Sequence, residues 1–145
     1  MNSTHAFSER DIITKYILPA IGRSGWDLQN QVREEVTFTA GRIFLKGRQT
    51  TRGERKRADI ILYYKANIPL AVIEAKDGTH TVGAGLKQAL GYAETLDIPV
   101  AISSNGDGFV IQYRKHCGGA GPEGSPMVTQ EIGLEDFPSP AELWE

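Results

Sequence analysis

Two apolar runs that carry carboxylates constrain this chain more than any other feature. Ala58-Asp59-Ile60-Ile61-Leu62-Tyr63-Tyr64-Lys65 and Pro69-Leu70-Ala71-Val72-Ile73-Glu74-Ala75-Lys76 are short, β-branched and aromatic, and only Ala66-Asn67-Ile68 separates them. Such a pattern predicts a hairpin of two largely buried strands. With the turn centred between Ala66 and Asn67, Lys65 faces Ile68, and the same register carried down the ladder puts Asp59 opposite Glu74. Opposed residues on one face have Cβ atoms about 5 Å apart, and residues two apart on a strand share a face, so Lys76 joins the two acids.

Two neighbouring carboxylates repel, and burial raises the cost of each charge, so the pair requires a cation or a proton. A hard divalent ion such as Mg²⁺ suits carboxylate and water oxygens and leaves Lys76 beside a polarised water or a phosphate oxygen. On this spacing alone, a cross-strand ion pair at the end of a hairpin explains the same residues. A third acid shifts the balance. Ser8 to Arg23 reads as an amphipathic helix with Ser8 as N-cap, Glu9 and Asp11 in the first turn, and Ile12, Ile13, Tyr16, Ile17, Ala20 and Ile21 at helical spacing. Glu9 is expected on or beside the inward face. Simple complementation of the helix N-terminus is the other account of it. Pro19 interrupts the pattern, because an interior proline removes a backbone hydrogen bond.

From Val82 to Leu96 the apolar positions Val82, Leu86, Ala89, Leu90, Ala93 and Leu96 predict a second helix, which Asp97-Ile98-Pro99 stops. Gln88 and Tyr92 lie four apart on it and share a face. Their amide and phenol suit hydrogen bonds to a phosphate or a water near the acids. A packed tyrosine beside a solvated glutamine accounts for the same spacing.

Together these residues resemble the PD-(D/E)xK nuclease superfamily. Ser8-Glu9-Arg10-Asp11, Ile17-Leu18-Pro19-Ala20 and Gly25-Trp26-Asp27, followed by Ala58-Asp59-Ile60, Val72-Ile73-Glu74-Ala75-Lys76 and Gln88-Ala89-Leu90-Gly91-Tyr92, are similar to the N-terminal nuclease domain of type I restriction enzyme R subunits. The likeness extends from Ser8 to Tyr113. It departs at one place, where Arg57-Ala58 rather than a proline precedes the first aspartate. The resemblance implies Asp59, Glu74 and Lys76 as catalytic residues. It further implies Mg²⁺ held by Asp59, Glu74, the Ala75 carbonyl and Glu9, with Gln88 and Tyr92 positioning double-stranded DNA. It also implies two ATP-driven motor domains elsewhere in the polypeptide, and partner methylation and specificity subunits through which S-adenosylmethionine would act.

Charge distribution points to the same partner. The whole chain carries −2. The stretch Arg42 to Arg57, however, holds Arg42, Lys46, Arg48, Arg52, Arg55, Lys56 and Arg57 against the single acid Glu54. Arg52, Arg55, Lys56 and Arg57, directly before Asp59 and set among glycines and polar residues, are candidate phosphate contacts. A solvated loop is the plainer alternative.

The expected fold is α/β, a restriction-endonuclease-like mixed central sheet flanked by helices. Its further strands are expected within 27–33 or 35–39 and at 42–46, 100–103 and 108–113, with a tight turn at Asn105-Gly106-Asp107-Gly108. Residues 1–115 read as one nuclease domain. Residues 116–145 read as a Gly/Pro-rich loop and the start of a linker, closing on a short helix whose last two apolar residues lack partners, so the chain reads as a fragment. A single cysteine, Cys117, precludes an intrachain disulfide and fits a cytoplasmic setting. No apolar run is long enough for a membrane span, the dispersed His5, His80 and His116 indicate no zinc site, and no phosphate-binding Gly-rich loop is present. The alternatives to a type I nuclease are a DNA-binding module without catalysis and another PD-(D/E)xK nuclease of type III-like or repair function.

Overall fold

The computed structural model describes residues 8–39, 42–44, 56–114 and 129–144. At its start Ser8 forms a capping box: its hydroxyl accepts the Asp11 N–H at 3.2 Å while the Asp11 carboxylate accepts the Ser8 N–H at 3.4 Å. The helix begun there, α1 (Glu9–Ile12), passes through a π-helical turn (Ile13–Ile17) into α2 (Leu18–Arg23). Pro19 explains the interruption. Its ring crowds the carbonyl four residues back, and the wider turn, in which the Leu18 N–H reaches the Ile13 carbonyl, makes room.

Among the described residues seven strands form one sheet: β1 (Val32–Thr39), β2 (Arg42–Phe44), β3 (Lys56–Lys65), β4 (Ile68–Ala75), β5 (Val100–Ser104), β6 (Gly108–Tyr113) and β7 (Thr129–Gly133). Their order is β2-β1-β3-β4-β5-β6-β7. Only β4 and β5 are parallel, and α3 (Leu86–Leu96) makes the crossover that a parallel pair needs. The mixed α/β sheet expected from the sequence is therefore the observed one. The α1–α2 unit covers one face, with Ile12, Ile17 and Ile21 packed with Ile60, Leu62, Ile73 and Ile102. On the other face α3 presents Ala89 and Ala93 to Ile61, Val72 and Ala101, small residues that let the helix lie close. Among the described residues no helix is long and apolar enough to cross a membrane.

Three features depart from expectation. The strand expected within 27–33 or 35–39 runs as one, Val32–Thr39, and residues 28–31 form turns before it. The helix predicted from Val82 begins at Leu86, and turns occupy the preceding residues, where Gly83 and Gly85 disfavour an earlier start. Residues 129–144, placed beyond the domain boundary at 115 by the sequence, pack on the domain; 116–128 lie outside the described residues. Here β7 pairs with β6 so closely that a Cβ on Gly108 would sit 2.6 Å from the Ile132 carbonyl oxygen. A 3₁₀ turn (Leu134–Asp136) leads to the buried Phe137, whose ring lies 4.6 Å from Phe109 and 6.4 Å from Trp26. The Trp26 indole N–H donates to the Pro138 carbonyl at 2.8 Å. In α4 (Pro140–Trp144), Leu143 is buried and Trp144 stacks on Tyr64 at 4.3 Å. The apolar residues without partners in the sequence thus find them on the sheet.

Phe137→Ala should cost about 3–5 kcal/mol of stability by urea unfolding, the range for emptying an aromatic core site. A loss below ~1 kcal/mol would mean that the tail is not part of the cooperative unit.

Candidate active site

Strands β3 and β4 pair at Leu62↔Ala71, Ile61↔Val72 and Ile60↔Ile73. The next residues in this register are Asp59 and Glu74, as the hairpin turn predicts. There the backbone ladder gives way to side chains: the Asp59 N–H donates to Glu74 Oε2 at 2.9 Å, and the Ala75 N–H donates to Asp59 Oδ2 at 2.8 Å. Both N–H groups are thereby satisfied by side chains rather than by carbonyls.

Glu74 is only 3 % exposed, whereas Asp59 and Lys76 are half-buried. Burial, and after it the charge of Asp59, push the Glu74 carboxyl up to about 8, against the opposing pull of the Asp59 N–H and the Lys76 ammonium. A hard divalent ion would relieve the same load without a proton, and two carboxylates with room for water are a donor set that fits one. Glu9 does not join them. It is exposed on the first turn of α1, and among the described residues no three His, Cys, Asp or Glu side chains gather as a metal-holding group. The inward face of that helix starts at Ile12. Ala75 is buried in β4 beside the acids.

Beside this pair opens a cavity of about 910 Å³ lined by Lys56, Arg57, Lys76, Lys87, Gln88 and Tyr92, with Glu94 its one acid. Gln88 and Tyr92 do share a face of α3, and the Gln88 amide donates to the Tyr92 hydroxyl at 2.7 Å. The edge of Phe38, 5.0 Å away, fixes the Tyr92 ring. Lys56 and Arg57, both exposed, form the facing wall, while Arg52 and Arg55 lie outside the described residues.

Three contributors escaped the sequence reading. Lys87 belongs to a stripe of α3 (Lys87, Gln88, Gly91, Tyr92, Thr95) at helical spacing along the cavity, a signal that was available. Ser103, buried on β5, accepts the Gly85 N–H at 2.9 Å and donates to the Val82 carbonyl at 2.8 Å, tying the start of α3 to the sheet. Gly85 itself passes so close to Glu74 that a Cβ would stand 3.3 Å from both its Cβ and its carbonyl oxygen. Both contacts are tertiary and leave no local signature.

The model of the type I restriction enzyme R protein N terminus matches residues 28–119. The chain is 45% identical over 138 residues to the type I restriction enzyme EcoAI endonuclease subunit of Escherichia coli, covering 95% of this chain and 16% of that protein. It also superimposes on a solved fragment of an HsdR subunit of a type I restriction enzyme from Vibrio vulnificus, with TM-score 0.71 and 35% identity over 95% of this chain and 25% of the other.

Because the folded Glu74 carboxyl titrates near 8 against an ordinary 4.5, the metal-free folded chain retains a proton between these values that the unfolded chain has released. Its stability should therefore fall as pH rises through that window and level off above it. Glu74→Gln should remove this slope when urea unfolding is followed against pH in a chelator. Parallel profiles for the two proteins would put the proton elsewhere.

Proposed function

Given that this chain belongs to the family of type I restriction enzyme R subunit N-terminal regions, we propose that it is the nuclease domain of such a subunit, a Mg²⁺-dependent endonuclease hydrolysing phosphodiester bonds of double-stranded DNA. One observation carries this reading: the acid pair closes the pairing of β3 with β4, with buried Glu74 two residues before Lys76, and Lys76 lines a cleft walled by further cations. Asp59 and Glu74 would hold the ion with the Ala75 carbonyl as a further ligand, and Glu9, exposed on α1, would stand outside this set. When bound, Mg²⁺ supplies Lewis acidity and makes hydroxide available near neutral pH.

The protein's own groups do the rest. Lys76 orients the attacking water in line with the phosphorus and stabilises the charge that develops on the phosphoryl oxygens. Gln88 and Tyr92, locked together by their hydrogen bond, position the phosphate backbone, and Lys56 and Arg57, continued by Arg52 and Arg55, hold flanking phosphates. These contacts reach only the backbone, so cleavage needs no sequence at the cut site. Recognition then falls to the specificity and methylation subunits of a restriction complex with S-adenosylmethionine, and ATP to motor domains of the same polypeptide. A binding module without catalysis would keep the cationic walls, and neutral amide side chains would accept the same two backbone N–H groups without the cost of burying acids.

Asp59→Ala, Glu74→Ala and Lys76→Ala should each abolish DNA cleavage by the complete enzyme while ATP hydrolysis persists. Asp59→Ala should also lose Mn²⁺ binding by calorimetry. Wild-type cleavage by any of the three sinks the site.

Gln88→Ala and Tyr92→Phe should slow cleavage by up to about a hundredfold with metal affinity near wild type, as expected of groups that position substrate. Neutralising Lys56 and Arg57 together should weaken binding to all DNA sequences alike and flatten its log–log salt dependence by about one to two units. An unchanged slope would assign these two residues to solvent.

A further inference from the structure

The pairing of β1 with β3 keeps one register from Val32↔Leu62 to Phe38↔Lys56 and omits a single pair, Glu35 with Asp59. At that position Glu35 has φ +53°, a left-handed conformation uncommon for any residue but glycine and foreign to a strand. Both strands turn over there. In a regular strand residues two apart share a face. Yet Ile60 and Leu62 pack with α1–α2 while Ala58 packs with α3, and likewise Val32 belongs to the first core and Val36 and Phe38 to the second. Asp59 sits at the crossing point.

We propose that Glu35 is a positioning residue for Asp59: its left-handed backbone rotates both strands so that Asp59 meets β4 with its N–H toward Glu74 and its carboxylate toward Ala75. Without the rotation Asp59 would occupy one regular face of the sheet, opposite the face of Ala58 and Ile60 together. The inference deepens the nuclease-site reading and rests on it for its functional meaning. The side chain of Glu35 explains why the kink persists. Arg10, from α1, donates to Glu35 Oε2 at 2.9 Å and also pairs with Glu34, and the Arg57 guanidinium lies 3.8 Å from Glu35 Oε1. Strained backbone endures where its surroundings over-determine it, and here a helix and a neighbouring strand both hold it.

Backbone and side-chain roles are separable. Glycine accepts φ +53° freely, whereas isoleucine strongly resists it. Amide hydrogen exchange by NMR reads the two hydrogen bonds directly. In Glu35→Gly, the Asp59 and Ala75 amides should stay as protected as in wild type. In Glu35→Ile, both should exchange at least about tenfold faster while Ile61 and Val72, further along the hairpin, are unchanged. Mn²⁺ affinity of the Glu35→Ile chain should fall by about tenfold or more, as when an outer support of a metal ligand is lost, a change that a purely structural role would not produce in a folded protein. Should Glu35→Ile fail to fold, Glu35→Ala should show the same local loss to a smaller degree. Wild-type protection at Asp59 and Ala75 in folded Glu35→Ile or Glu35→Ala overturns the proposal, as does equal loss in Glu35→Gly, which would assign the effect to the carboxylate. A wild-type chain that bound no Mn²⁺ would instead overturn the metal-site reading, with the exchange pattern still deciding the role of Glu35.

Discussion

The architecture depends on the exchange between two carboxylates and two backbone amides where β3 and β4 stop pairing as strands. Asp59 and Glu74 each accept a main-chain N–H that lacks its usual carbonyl, so the acids both repel one another and close the end of the hairpin. An apolar pair here would leave those amides without acceptors, at a cost of about 1–3 kcal/mol each. The acid pair satisfies them, but in the metal-free chain the burial of Glu74 behind the hydrophobic sheet, beside the charge of Asp59, holds a proton on Glu74 near neutral pH.

The sheet makes such burial possible. With α1–α2 on one face and α3 on the other, the central strands β3, β4 and β5 are covered on both sides, and their near-continuous apolar runs reflect it. Charged residues survive in this setting only where pairing ends, which is where the acids lie. The cations gather one layer outward. Lys56 and Arg57 open β3, Lys76 leaves β4, and Lys87 stands on the first turn of α3, so three elements converge on one cavity from different directions.

Much of this was legible because it is local. The turn at Ala66-Asn67 pairs Lys65 with Ile68 as expected, and two register shifts around Tyr63 cancel, so the expected pairing returns from Leu62↔Ala71 onward; Asn67 takes a left-handed conformation in the turn. Gln88 and Tyr92 met as their spacing demanded. Legibility failed where distant segments decide. Nothing in Thr129–Gly133 announces a strand, since its residues are mostly polar and it is an edge; its place depends on β6 offering Gly108 for close approach. Glu9 misled for a related reason: helical spacing places residues on a face, but the burial of that face begins only at Ile12. The conformation of Glu35 was invisible, because no propensity favours a left-handed glutamate inside a strand.

The small knot at Ser103 gives the cavity two unlike sides. One hydroxyl, buried between the Gly85 amide and the Val82 carbonyl, joins the start of α3 to β5, and Gly85 rests directly against Glu74. The helix wall and the strands beside the acids are consequently joined, and a guest cannot pry them apart without breaking buried hydrogen bonds. The opposite side, Lys56 and Arg57, comes from β3, where the two residues pair with Phe38 and Thr37 of β1 and Arg57 also reaches Glu35 at 3.8 Å. Such a cleft has one wall set in advance: the helix face is tied to the sheet beside Glu74, so a guest must match its shape rather than remake it.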